Sequence, residues 1–233
     1  MPTLLLRLQG PMQSWGTHSR FDERDTGLEP SKSGVLGLLA AALGRKRSES
    51  IDDLTALRMG VRVDREGVVR YDYQTALGVF RADGSKLSDD ETVQSWRYYL
   101  ADAVFLVGLE GGDRAFLESL SAALRKPRWP LYLGRKGYVP SCPVWLHDGL
   151  DEASLVGALC WYPHLIKQPP ETFRFIVETD SPDPTVDQAV AQVQLRMDQP
   201  LGPFCERRFG ARFVTVFSRS REEVGHVSVE TCP

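Results

Sequence analysis

The residues with most to offer chemically are cations set among aromatic rings and small residues. Lys126-Pro127-Arg128-Trp129-Pro130 and Leu131-Tyr132-Leu133-Gly134-Arg135-Lys136-Gly137 place Lys126, Arg128, Arg135 and Lys136 beside Trp129 and Tyr132. Cations suit phosphates, rings suit unstacked bases, and small residues let backbones approach closely, which is the chemistry of a single-stranded RNA site. A second cluster, Glu29-Pro30-Ser31-Lys32-Ser33-Gly34, opens a helix. Free N–H groups and the helix dipole attract an anion there, and Lys32 adds a full charge, so Lys32 with the N–H groups of Ser33 and Gly34 is a candidate phosphate grip. It is not a nucleotide-binding P-loop, which needs glycine where Thr26 and Ser31 stand.

Signs of catalysis are sparse. His18, His147, His164 and His226 lie far apart and form no H-E-x-x-H pair, and no G-x-S-x-G elbow is present. His18, in a loop with Trp15 and Arg20, is a candidate general base, although it reads first as a hydrogen-bonding surface histidine. The four cysteines form no C-x-x-C pair, so neither a zinc site nor a disulfide framework is expected, and no cofactor is implied. Residues 208–217 mix arginine and phenylalanine but lack the order of an RRM signature; they read as a core strand with exposed arginines.

The 233 residues carry a net charge of −3 and are 42% hydrophobic, which excludes a disordered or low-complexity chain. That small net charge hides a segregation. Residues 30–48 and 124–147 hold four and five cations and no acids, 148–198 holds nine acids against three cations, and 199–221 is basic again. Cation clusters of this kind neutralise phosphates even on an acidic chain. The apolar start of the chain has Arg7 directly after three leucines and no cleavage site, and no run is long enough to span a bilayer, so a soluble cytoplasmic protein without membrane contact is expected.

These residues must be positioned by ordinary elements. Residues 3–9 alternate as a strand with Leu4, Leu6 and Leu8 on one face. Ser33 is the expected cap of a helix over 34–43 that Gly44 stops. A short helix follows over 51–58. Strands are expected at 61–64 and 68–73 around a turn at 65–67, and one or two more over 93–109. Asp113 caps a helix to about 124 that buries Phe116, Leu117, Leu120 and Leu124. Prolines keep 127–143 irregular before a strand at 145–146. The order is the β-α-β-β-α-β plan of the α+β ferredoxin-like fold that RRM domains share. Beyond about 149 come a helix at 152–159 and strands at 173–178 and 212–217. Residues 75–92 are poor in core side chains and suit a projecting hairpin or a mobile loop.

Four stretches in order resemble the fifth family of CRISPR-associated (Cas) proteins, in the form found in type I-E Cascade. They are Leu8-Gln9-Gly10-Pro11-Met12-Gln13-Ser14-Trp15-Gly16, the glycine- and alanine-rich stretch over 30–44, Thr92-Val93-Gln94-Ser95-Trp96-Arg97-Tyr98-Tyr99-Leu100-Ala101-Asp102-Ala103, and Lys126-Pro127-Arg128 through Tyr132-Leu133-Gly134-Arg135. One departure is local: Gly137-Tyr138 follows Lys136 where the family has Ser-Cys. The resemblance implies an RRM-like domain over 1–148 with a β-hairpin thumb at about 76–94, and a small C-terminal region over 149–233. It implies a non-catalytic subunit that holds the repeat-derived 5′ handle of the CRISPR RNA and caps the backbone filament of Cascade. Its partners would be that RNA, the backbone subunits, the large PAM-reading subunit and, through the assembled complex, target DNA. Gln13, Trp15, Arg24, Lys32, Ser33, Gly34, Arg97, Lys126, Arg128, Arg135 and Lys136 are then the expected RNA contacts, with no catalytic or metal-binding residue. Two alternatives stay open: a metal-independent repeat-RNA endoribonuclease using His18, Tyr138 and Lys136, and a protein-only assembly module.

Overall fold

In the computed structural model, residues 1–16, 22–80, 83–85, 88, 91–179 and 191–225 are described. The first strand, β1 (Thr3–Gln9), is apolar on both sides: Leu4, Leu6 and Leu8 face one core, and Leu5 faces another. A strand of this kind belongs in the middle of a sheet covered on both faces. The chain continues through β2 (Met12–Gln13), β3 (Glu23–Arg24), α1 (Lys32–Leu43), α2 (Asp52–Thr55), β4 (Arg58–Arg65), β5 (Val68–Leu77), β6 (Thr92–Ala101) and β7 (Val104–Glu110). Then come α3 (Arg114–Arg125), β8 (Trp145–Asp151), α4 (Leu155–Trp161), β9 (Thr172–Glu178), β10 (Gln192–Pro200) and β11 (Phe209–Ser220).

A seven-stranded sheet has the order β10-β11-β9-β4-β7-β1-β8, antiparallel at every pairing. Helices α1 and α3 bury Leu36, Leu39, Leu117 and Leu120 against one face, and α4 buries Leu155 and Leu159 against the other with Phe173 and Phe175. The result is a mixed α+β fold, mostly strands with four helices among the described residues.

Two helices end as their residues dictate. Asp113 accepts the N–H of Phe116 at 2.6 Å and starts α3, and Gly44 stops α1 in the left-handed conformation at φ 73°. The cap of α1 is Ser31 rather than Ser33; its hydroxyl accepts the N–H of Gly34 at 3.3 Å. No pairing joins β4 to β5, contrary to the hairpin expected around 65–67, because β7 and β9 already fill both edges of β4. Instead β5 pairs with β6 along its whole length, from Val68↔Ala101 to Leu77↔Thr92. This long hairpin leaves the main sheet and includes both ends of the expected 76–94 segment. The other edge of β6 is shared by β2 and β3, which completes a second, four-stranded sheet.

The boundary expected at 148/149 falls inside β8. The last third does not stand apart, since β9 pairs with β4 and carries β11 and β10 outward in the same sheet. Strand β10 was not foreseen. Its alternating Val193, Leu195 and Met197 are exposed, while Asp198 is buried. Strand β11 meets the expectation of a core strand at Val214 and Phe217 and of an exposed arginine just before it at Arg208, but Arg212 is buried, and Phe209 and Phe213 face solvent.

Candidate functional site

A cleft of about 510 Å³ opens where β2, the N-terminus of α1, the 133–138 loop and the β10–β11 connection meet. Its cations come from three separate elements. Arg24 on β3 lies beside Arg97 on β6 in the parallel register of those strands, so two like charges are neighbours. The third, Arg135, donates to the carbonyl oxygen of Arg24 at 3.1 Å and to the Tyr138 hydroxyl at 3.0 Å, with its guanidinium 5.6 Å from the Tyr138 ring centre. Arg97 donates to the Ser95 hydroxyl at 3.1 Å. Among the described residues none of the three is in an ion pair, and Asp25 is the one carboxylate on the cleft wall. Adjacent like charges cost free energy, and an anion between them removes that cost.

The loop bearing Arg135 is held by backbone contacts. Ser14 N–H donates to the carbonyl of Leu133 at 3.1 Å, and Leu133 N–H donates to the carbonyl of Tyr138 at 2.8 Å. Gly134 crosses the Ser14 carbonyl at φ 90°, a contact and a conformation that suit glycine. Ser33 and Gly34 line the cleft from the first turn of α1.

Lys32 does not join them. It is 1% exposed, and its ammonium pairs with Glu178 at 2.8 Å; burial pulls its pKa down while Glu178 pulls the other way. Its backbone N–H donates to Asp198 at 2.7 Å, and Arg212 holds the same carboxylate at 2.7 and 3.0 Å. The helix start therefore has its anion from the chain itself, which corrects the reading of Lys32 as a phosphate ligand. Gln13 is corrected as well. Fully buried, it donates to the carbonyls of Leu8 and Ala103 and accepts from the Trp15 indole at 3.2 Å. Trp15 is 1% exposed and packs on Gly34, where an added Cβ would stand 2.8 Å from the ring. It is a wall of the cleft, not a free stacking ring.

Arg128 and Lys126 belong to another surface. Arg128 lies over Gly44 at the far end of α1, and its N–H donates to the carbonyl of Ala42 at 2.9 Å. A helix of this length separates the two ends by about 18 Å. Lys136 is exposed and does not line the cleft. His18 and Arg20 lie outside the described residues. Reasoning from sequence missed Phe204 and Phe209, which line the cleft from the β10–β11 connection. The available signal was the basic-aromatic run around Arg207-Arg208-Phe209, read instead as core. The charge segregation also has a partly internal cause: acids of the 148–198 stretch, Glu178 and Asp198, neutralise Lys32 and Arg212 from the basic stretches. The five cations of 124–147 have no such partner among the described residues.

The family model described as CRISPR-associated protein (Cas_Cas5) matches residues 3–215. The Cascade subunit CasD of Escherichia coli (strain K12) is 42% identical over 154 residues, which is 60% of this chain and 66%, just under two thirds, of that protein. A solved structure titled "Crystal structure of Cas protein" is 51% identical and superposes with a TM-score of 0.78 over 97% of this chain and 100% of that one. A chain of a "CRISPR RNA-guided surveillance complex" is 31% identical, with a TM-score of 0.75 over 98% and 95%. With the family pattern running through β1, the cleft and most of the last third alike, the chain belongs to the Cas5 family of CRISPR-associated proteins.

Proposed function

We propose that this chain is a non-catalytic RNA-holding subunit of a Cascade-type surveillance complex and grips the repeat-derived 5′ handle of the CRISPR RNA in the cleft. The convergence of Arg24, Arg97 and Arg135, without ion-pair partners among the described residues, carries this reading. Three cations from three elements, meeting in one cleft, suit consecutive phosphates of one strand. The platform supports it too. Strands β4-β7-β1-β8 with α1 and α3 on one face follow the ferredoxin-like order shared by RRM domains. The β5–β6 hairpin is the thumb in this reading, and Lys126 and Arg128 form a separate basic surface. Backbone subunits, the large PAM-reading subunit and target DNA are its proposed partners in the assembly. Guide pairing, not this chain, then reads the target.

The experiment is to titrate single-stranded repeat RNA in EDTA over a range of salt, then run the mixture on a denaturing gel. The expected result is intact RNA and salt-sensitive binding. Replacing Arg24, Arg97 and Arg135 by alanine should lower the salt slope by about 2 and remove about a 20-fold loss of affinity between 50 and 200 mM salt. A discrete cut would make the chain a processing nuclease. An unchanged slope would remove the cleft from RNA binding.

A further inference from the structure

We propose that Gln13 is a positioning residue: its buried amide latches a seam that runs across the central strands, and so sets the angle of the β5–β6 hairpin and the width of the cleft. This rests on the RNA-holding reading above and adds what fixes the geometry of the site.

The seam shows in the strand register. Arg65, Val104 and Gln9 are neighbours on β4, β7 and β1, and Val68, Ala101 and Met12 are neighbours on β5, β6 and β2. The second sheet therefore continues three adjacent strands of the first, and all three break side by side, at 66–67, 102–103 and 10–11. The backbone at each break is unusual. Asp102 and Gly67 are both left-handed, at φ 58° and 74°, and Gly10-Pro11 interrupts the third strand. Strands bend where the ladder is interrupted, because no cross-strand hydrogen bonds hold them straight there.

Gln13 crosses this seam. Its backbone pairs with Leu100 on the hairpin side. Its amide N–H groups reach back to the carbonyl of Leu8 on β1 at 3.2 Å and to that of Ala103 within the seam at 2.7 Å. The amide oxygen accepts the Trp15 indole at 3.2 Å. An indole only donates, so Trp15 fixes the oxygen end of the amide and turns its nitrogen toward the two carbonyls. The residue is fully buried, so water does not replace these bonds when they are lost.

The cleft straddles the seam. Arg24 on β3 and Arg97 on β6 belong to the hairpin side. Ser31, Ser33 and Gly34 at the start of α1, with Phe209 on β11, belong to the main-sheet side. A change in hairpin angle alters the spacing of these two groups. A residue that touches no ligand thus governs how well one strand meets both at once.

The test reads the angle directly in the full chain. Nitroxides on Thr75→Cys in the hairpin and Glu118→Cys on α3, both exposed positions, report the distance across the seam by double electron–electron resonance, with the accessible native cysteines replaced by serine. With Gln13 intact the distance should be single and narrow. Gln13→Met, similar in size without the amide, should broaden or shift it. It should also weaken binding of single-stranded repeat RNA several-fold with the salt slope unchanged, because no phosphate contact is removed. Gln13→Asn, one methylene short of the two carbonyls, should do the same to a smaller degree. A merely stabilising role would lower the melting temperature and leave distance and affinity as in wild type. Wild-type distances in whichever variant folds overturn the latch, and a displaced hairpin with wild-type affinity overturns its hold on the cleft. Both results leave the RNA-holding role standing. Binding that is indifferent to Arg24, Arg97 and Arg135 overturns that role, and the proposed control of the cleft with it.

Discussion

Gly134→Ala tests the link between the backbone and the site. An added Cβ would overlap the carbonyl oxygen of Ser14 and lie 2.8 Å from its carbon. Both atoms are backbone, so no rotamer change relieves the clash. The left-handed φ of 90° adds about 1–2 kcal/mol for a residue with a Cβ. Forcing the two segments apart adds about 1–3 kcal/mol, and the sum is about 2–5 kcal/mol. A domain with about 5–15 kcal/mol of stability should still fold. The loop would relax by lifting away from β2, breaking the Ser14–Leu133 hydrogen bond and carrying Arg135 from its place over the Arg24 carbonyl. The variant should therefore lose both stability and RNA affinity. Gly137→Ala is the internal control. It lies three residues on, no atom comes within 4 Å of its added Cβ, and its φ is not left-handed. It should stay within about 0.5 kcal/mol of wild type. Urea unfolding followed by tryptophan fluorescence, with RNA titrations alongside, measures both variants. Equal midpoints and equal affinities for the two would refute the argument.

Two other predictions concern the α4 side of the sheet. Arg62 is fully buried, pairs with Asp64 at 2.7 Å, and donates to the carbonyls of Leu159 and Pro163 at 2.7 Å each, which closes the C-terminal end of α4. Arg62→Met should cost about 3–5 kcal/mol in urea unfolding because it strands a buried carboxylate and these oxygens; a loss under 1 kcal/mol would show that the pair is not desolvated as described. His164 stacks on Phe173 at 5.0 Å, and burial, with Arg62 nearby, lowers its pKa. The unfolded chain then binds the proton more readily, so stability falls as pH drops from about 6.5 toward the folded value. His164→Phe should flatten the melting temperature across that window, and an unaltered pH profile would contradict the assignment.

The alternation of Leu4, Leu6 and Leu8, the Asp113 cap, the Gly44 stop and the apolar stripe of α3 are all local patterns, and each stands in the structure where local chemistry put it. The order of elements followed from them. The partner of each strand did not. Residues 58–65 and 68–77 look like neighbours in a hairpin, but whether β4 takes β5 or β9 depends on which edges remain open after β7 has docked.

The site divides along the same line. Residue type marked Arg135, Ser33 and Gly34, the family resemblance added Arg24 and Arg97, and all five line one cleft. The same reasoning misplaced Lys32, Gln13 and Trp15, because a side chain's chemistry does not say whether a partner ninety or more residues away will claim it. Glu178 claims Lys32, and the carbonyl of Ala103 claims Gln13. Phe204 and Phe209 went unnoticed because exposure is a property of packing: an aromatic residue reads as core until a sheet edge leaves it uncovered. The sequence by itself determined which residues can hold an anion and where the helices and most of the long strands form. Only the tertiary structure decided which cations keep their charge free for a ligand, because that depends on which acids fold against them.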